Sequence, residues 1–373
     1  MIGGGINGSG IAWELARRDY DVVLFEKGIC GAQTYSASTK MIHGGLRYLE
    51  HFQFGVVRES LHERKWLLEN LPSLVKPLEI LLPVYDDSPR SRFTIGVGLT
   101  LYDIFAGRKN LQRHHSWTAA KMLARAPLVA DGLRGGFSYW DAQVDDFALV
   151  RCVVASAAAD GAVIRENTRV ERLREDGKQW TVVTTTDETA FDLVVNATGP
   201  WMTEWLGAND LRARYVMSLI RGSHLVLKRR ISDIGALLQS VDDDRVFFVL
   251  PWKETTLVGT TEVVQHESLE DVHASYDEVG YLIARFNHYF RDKIALDDID
   301  HTFAGVRPLV GRATNPSALS RDARVNRQGN LVNVFGGKLT TFMALARKVA
   351  LRVDNYFGKP RTARRAVFKM SPP

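Results

Sequence analysis

Met1-Ile2-Gly3-Gly4-Gly5-Ile6-Asn7-Gly8 opens the chain, and Val22-Val23-Leu24-Phe25-Glu26 follows a short distance on. Gly3-x-Gly5-x-x-Gly8 matches the dinucleotide fingerprint, in which glycines permit a tight turn, close approach of backbone to a pyrophosphate, and close helix–strand packing. Residues 7–18 read as a helix with Ile11, Ala12, Leu15 and Ala16 on one face. Its N-terminus would meet the phosphate charge. Residues 22–26 read as a short buried strand that completes a βαβ-type opening, and Glu26 at its end is placed to bind ribose hydroxyls. Glycine loops alone recur by chance, but loop, helix, strand and terminal acid in this order point to nucleotide binding. Such a loop normally follows a complete buried strand. Only two residues precede Gly3 here, which reads as a misplaced start, a fragment, or a severely shortened central strand.

Further along, residues 56–70 read as a helix closed by Pro72, and 147–159 as another ended by Asp160-Gly161. Strands are expected at 162–165, 170–174, 180–186 and 193–196. A second β-rich stretch covers 223–227, 246–251 and 256–260. Residues 275–290 read as helical, and 338–357 as a long final helix after Gly336-Gly337. Nucleotide-type signals lie at the start, near 196 and near 337, so the chain leaves its nucleotide domain twice and returns twice. The expected division is a discontinuous nucleotide domain of 1–75, 140–215 and 300–358, interleaved with a β-rich substrate domain of 76–139 and 216–299. Residues 359–373 form a basic tail that reads as a cut edge.

At 373 residues the chain suits two packed domains, and 45% hydrophobic with 24% charged residues marks an ordinary globular protein. Its two cysteines, Cys30 and Cys152, stand in no metal spacing and read as free buried thiols of a reducing compartment. The net charge of +5 resides in the tail, where Lys359, Arg361, Arg364, Arg365 and Lys369 meet no acid. A neutral body with a basic end does not suit nucleic acid, which needs a charged stripe on a folded face. The tail reads either as a solvated terminus or as a segment drawn to anionic lipid, at roughly 1 kcal/mol per basic residue near the surface. No signal peptide is read. The apolar stretch 93–106 is shorter than the ~20 residues of a membrane span and contains Asp103.

Two features favour FAD over NAD. Thr34-Tyr35-Ser36-Ala37-Ser38-Thr39-Lys40 is dense in hydroxyls where the flavin half of an extended FAD must pass. Gly336-Gly337-Lys338-Leu339-Thr340-Thr341 lets a ring system approach, and a helix end there would stabilise negative charge on reduced flavin. With the run His43-Gly44-Gly45-Leu46-Arg47-Tyr48-Leu49-Glu50, and with Asn196-Ala197-Thr198-Gly199-Pro200-Trp201, Gly222-Ser223-His224 and Gly305-Val306-Arg307-Pro308-Leu309, the chain resembles the FAD-dependent glycerol-3-phosphate dehydrogenases from residue 1 to about 358.

That resemblance implies an α/β, Rossmann-like FAD domain of the amino-acid-oxidase type, non-covalent FAD, and oxidation of sn-glycerol 3-phosphate to dihydroxyacetone phosphate. It also implies a membrane quinone as acceptor and peripheral association with the inner, cytoplasmic face of the cell membrane; a homodimer is possible. The resemblance also implies a C-terminal helical domain, which is expected to be absent from this chain. By motif, FAD contacts fall on Gly3, Gly5, Asn7, Gly8, Glu26, Ser36, Ser38, Thr39, Lys40, His43, Gly45, Val170, Thr198, Gly199, Gly337, Leu339 and Thr340.

The substrate would be a small dianion, and arginine's planar fork suits phosphate. Arg47, Arg307 and Arg321 are the phosphate candidates, with Tyr48 and His224 as hydrogen-bonding neighbours. Lys338 would hold substrate or tune the flavin. A neutral histidine is the natural base near neutral pH, and His43 and His224 remain alternatives. His114-His115 is poor geometry for one metal ion, and no GxSxG elbow or Walker loop occurs. The rivals are a glycerophosphate oxidase using oxygen, an amine or amino-acid oxidase on the same scaffold, and a flavin-free remnant serving as a scaffold.

Overall fold

The computed structural model describes residues 1–50, 52–243, 245–312 and 322–369. The glycine loop enters a mostly parallel sheet. Val23–Phe25 pairs in parallel with Val163–Arg165, and Val194–Asn196 pairs in parallel with Leu331–Phe335, which continues antiparallel to Arg324–Gln328. Ile2 joins the two halves by parallel bridges to both Phe25 and Asn196. Its N–H donates to the Val195 carbonyl at 2.9 Å, and its own carbonyl accepts from Ala197 N–H at 2.8 Å. The short run before Gly3 thus occupies the central position of the sheet.

Three helices, Ile6–Ala16, Asp146–Ala159 and Phe342–Phe357, cover this sheet. Ile6, Ile11, Trp13, Val150, Phe342 and Val349 share one buried core. A methyl on Gly10 would lie 2.6 Å from the Phe342 ring, so the first and last helices cross closely there. Val170–Asp176, Gln179–Thr184 and Glu188–Phe191 form an antiparallel meander beside the sheet.

A ten-stranded sheet forms the second layer. Its frame includes Lys76–Tyr85, Leu133–Gln143 and Ile299–Val310, none of which the periodicity revealed. Alternation along each strand divides its two faces. Val226 and Leu237 face the core under helices Phe54–Asn70 and Arg92–Ala106, whereas Leu225, Leu227 and Leu238 face helix Tyr276–Tyr289. Met217–Leu227 runs antiparallel to Ile299–Val310, which sets Ile220 against Arg307 and His224 against Phe303.

Two expectations change. The final helix begins at Phe342 rather than 338. Gly336 and Gly337 hold left-handed backbone at φ 72° and 109°, which breaks helical geometry before the hydroxyl pair Thr340-Thr341. The tail is also not a solvated terminus through residue 369. Arg364 N–H donates to the Arg17 carbonyl at 2.8 Å, and the Arg361 guanidinium lies 4.1 Å from the Tyr20 ring centre. Phe368 packs 4.8 Å from the Trp13 ring and 5.3 Å from that of Trp66. Apolar aromatic contact and donated hydrogen bonds outweigh solvation there.

Candidate functional site

Two cavities meet where the sheets adjoin. The larger, about 440 Å³, is lined by Gly3, Gly5, Asn7, Glu26, Val170, Thr198 and Gly199 among others. The smaller, about 150 Å³, shares Thr34 and Pro308 with it, so the pair forms one elongated path.

The first helix reaches the larger cavity with Gly5 as its N-cap and no side-chain cap, which leaves its leading amides for an anion. Gly8 packs beneath the loop rather than lining the cavity: a methyl there would lie 1.9 Å from the Gly3 carbonyl oxygen. The Glu26 carboxylate accepts Gly4 N–H at 2.7 Å and Gly28 N–H at 3.0 Å, which fixes it at the strand end. Asn7 Nδ2 donates to the Gly336 carbonyl at 3.1 Å and clamps the two glycine segments together. A methyl on Gly337 would lie 2.4 Å from that amide. A glycine cradle, an open helix end and an anchored acid fit the pyrophosphate and ribose of FAD.

Ser38, Thr39, His43, Tyr48, His224, Arg307, Gly337, Lys338, Leu339 and Thr340 line the smaller cavity. Its walls come from the hydroxyl-rich loop, the two long paired strands and the loop before the last helix. His224 is buried, stacked at 4.8 Å on Phe303, with Nε2 3.0 Å from Thr39 Oγ1. A methyl on Gly259 would lie 2.3 Å from the His224 ring, so that glycine makes its room. Burial first, then Arg307 and Lys40, push the His224 pKa down to about 3, which keeps the ring neutral.

Arg307 Nη2 donates to the Thr261 carbonyl at 3.0 Å, and Nη1 lies 3.7 Å from Glu262 Oε1. Glu262 Oε2 is 3.7 Å from Arg47 Nη1. Lys338 Nζ sits 4.2 Å above the Tyr48 ring centre and 3.6 Å from Asp322 Oδ1.

Other expected residues lie off the cavity walls. Lys40 is buried in a 2.5 Å ion pair with Asp146, and the Ser36 hydroxyl donates to the Ala32 carbonyl at 2.7 Å. Gly45 backs the Tyr48 ring at φ 77°, and Arg47 stands behind Glu262. Arg321 lies outside the described residues. Thr260, Thr261 and Glu262 were missed; the run Gly259-Thr260-Thr261-Glu262 at the end of an expected strand was the available signal.

Residues 1–352 match the model of the FAD dependent oxidoreductase family. The chain belongs to that family. FAD is therefore its cofactor. Among relatives of this FAD dependent oxidoreductase, D-erythritol 1-phosphate dehydrogenase of Brucella abortus is 38% identical, over 96% of this chain and 73% of that protein. Glycerol-3-phosphate dehydrogenase of Pseudomonas aeruginosa is 36% identical, over 96% and 71%. The fold is that of the FAD-complexed glycerol-3-phosphate dehydrogenase of Bacillus halodurans, at TM-score 0.77 and 23% identity over 97% of this chain and 65% of that one. A glycine oxidase of Geobacillus kaustophilus also superposes, at TM-score 0.70 and 21% identity over 99% and 97%. The amino-acid-oxidase type of FAD fold expected from the motifs is therefore the fold observed.

Proposed function

We propose that this oxidoreductase converts sn-glycerol 3-phosphate to dihydroxyacetone phosphate and passes the electron pair to a membrane quinone. The observation that carries the reading is the cationic wall of the smaller cavity. Arg307 and Lys338 line it beside neutral His224, with Arg47 behind Glu262. Such a wall suits a phosphate dianion, and His43 on the same cavity suits a hydroxyl proton.

In this mechanism Arg307, with Arg47 in support, holds the phosphate and so places the secondary carbinol carbon. Bound FAD supplies the acceptor for the hydride leaving that carbon. The hydroxyl proton goes to His43, the other imidazole lining the cavity, since burial keeps His224 from taking one. Lys338, on the wall of the same cavity, offers its charge to the developing oxyanion. One C–H and one O–H bond break, and the carbinol becomes a ketone.

The quinone reading draws support from an exposed apolar face. Phe93 (81% exposed), Ile104 (65%) and Val97 (46%) lie on helix Arg92–Ala106, beside exposed Phe52 and the basic residues Arg92, Arg108 and Arg113. A rim of cations round apolar side chains suits an anionic lipid surface. No described helix is long and apolar enough to cross a membrane.

The 38% identity to D-erythritol 1-phosphate dehydrogenase favours a second reading, a longer polyol phosphate in the same site. Anaerobic mixing separates the two. sn-Glycerol 3-phosphate should bleach the flavin faster than D-erythritol 1-phosphate, and glycerol should leave it yellow. Equal reduction by glycerol overturns the phosphate site. Reoxidation by oxygen as fast as by a quinone, with stoichiometric peroxide, overturns the acceptor.

A further inference from the structure

The guanidinium of Arg307 is gripped by one short segment. Thr261 offers its carbonyl at 3.0 Å, Thr260 its hydroxyl at 3.5 Å, and Glu262 its carboxylate at 3.7 Å. This segment joins strands Thr255–Gly259 and Val263–Val264 at the wall of the smaller cavity. A methyl on Gly222 would lie 2.4 Å from both Arg307 Nη2 and Thr260 Oγ1, so the strand Met217–Leu227 leaves a slot for the arginine.

What holds the segment is a carboxylate on another element. Strand alternation turns Gly222 and His224 toward the cavity and Arg221 and Ser223 toward helix Tyr276–Tyr289. There Glu278, 5% exposed, accepts from Thr261 Oγ1 at 2.6 Å, Ser223 Oγ at 2.8 Å and Arg221 Nε at 3.0 Å. Thr261 Oγ1 in turn accepts Ser223 N–H at 2.9 Å. Glu278 also completes the capping box of its helix with Ser275, but that role needs neither Thr261 nor Ser223. A buried carboxylate with this many donors from three elements is a rigid anchor.

We infer that Glu278 is a positioning residue for the anion site: through the Thr261 hydroxyl it fixes the carbonyl that orients the Arg307 fork. The inference rests on the reading of Arg307 as the phosphate ligand. Glu278 does not reach the cavity, so its loss leaves the charge in place but frees its direction, and a bidentate fork binds phosphate only when directed.

The test uses FAD-loaded enzyme carrying Thr261→Val, Thr261→Ser, Glu278→Gln or Arg307→Met, with inorganic phosphate as the probe of the anion site. In Thr261→Val the KM for sn-glycerol 3-phosphate and the inhibition constant of phosphate should rise together by about five- to tenfold, with kcat within about twofold and flavin content unchanged. Thr261→Ser, which keeps the hydroxyl, should restore both constants, and Glu278→Gln should shift them in the same direction as Thr261→Val. A lowered Tm with both constants unchanged makes Glu278 a structural cap and overturns the inference. An unchanged phosphate constant in Arg307→Met overturns the anion-site reading itself, and this inference with it.

Discussion

Arg47 and Arg307, far apart in sequence, meet on the two oxygens of one carboxylate, Glu262, each at 3.7 Å. Glu262 is nearly buried, so it offsets the repulsion between two like charges that the chain has brought to one wall. The arrangement keeps a fork aimed at the cavity without leaving two naked cations.

Arg307→Met should therefore lower activity on sn-glycerol 3-phosphate by about a hundredfold or more, since a charged donor at a closed site is worth ~2–4 kcal/mol. Flavin content should stay normal, because Arg307 is not assigned to the FAD phosphates. Arg307→Lys should recover only part of the loss, because a point charge cannot reproduce a fork. Steady-state kinetics normalised to bound flavin measures this, and full turnover in Arg307→Met would discard the site.

Glu26→Ala should weaken FAD retention. The change removes the carboxylate assigned to the ribose and strands the Gly4 and Gly28 amides, at up to ~1–3 kcal/mol for each partly buried bond left unmade. Fluorescence titration of FAD into stripped protein reads the affinity. Acid precipitation should release all the flavin into the supernatant; colour held in the pellet would mean a covalent bond.

His224 makes stability depend on pH. Burial, Arg307 and Lys40 lower its pKa from 6.5 to about 3, so between those values the unfolded imidazole binds a proton that the folded one refuses. Stability from this group rises with pH across that window and is complete above it. Its share of the slope is at most about 1.4 kcal/mol per pH unit. Denaturant melts of wild type and His224→Gln at matched pH should diverge on acidification below neutrality, with the variant losing less. Parallel slopes would show that the histidine is not held neutral.

The apolar face of helix Arg92–Ala106 should bind vesicles containing anionic lipid and release them at high salt, because screening shortens charge attraction to ~8 Å at physiological ionic strength. A Phe93→Ser/Ile104→Ser double variant should lose most of that binding while turnover with a soluble acceptor stays unchanged. Sedimentation with vesicles measures it. Equal binding to neutral and anionic vesicles, or undiminished binding of the variant, would count against the lipid surface.

What could be read along the chain was whatever short-range stereochemistry controls. Gly3, Gly5 and Gly8 announce a backbone that no side chain may crowd, and the helix and the acid after them follow at set distances because one βαβ turn imposes them. The same holds for Gly336-Gly337, although the helix they were expected to open begins only at Phe342. The strands Lys76–Tyr85 and Leu133–Gln143 stayed hidden because both faces are largely covered, and Ile299–Val310 because residues 300–302 near its start are exposed on both faces; either way the alternation that marks a half-buried strand is erased. The tail looked solvated from its charges, yet Phe368 lies on Trp13 and Trp66, a surface assembled from two distant helices.

By itself, then, the sequence determined that the chain holds FAD, because the glycine loop that cofactor needs is a local and steric requirement. Tertiary structure alone decided that Lys40 pairs with Asp146 away from the cavity wall, that His224 is buried against Phe303 and neutral, and that Arg307 lies between Thr261 and Glu262. Those outcomes follow from the register of Met217–Leu227 against Ile299–Val310 and from burial in a medium that screens charge poorly. Both exist only once the two sheets have closed on one another.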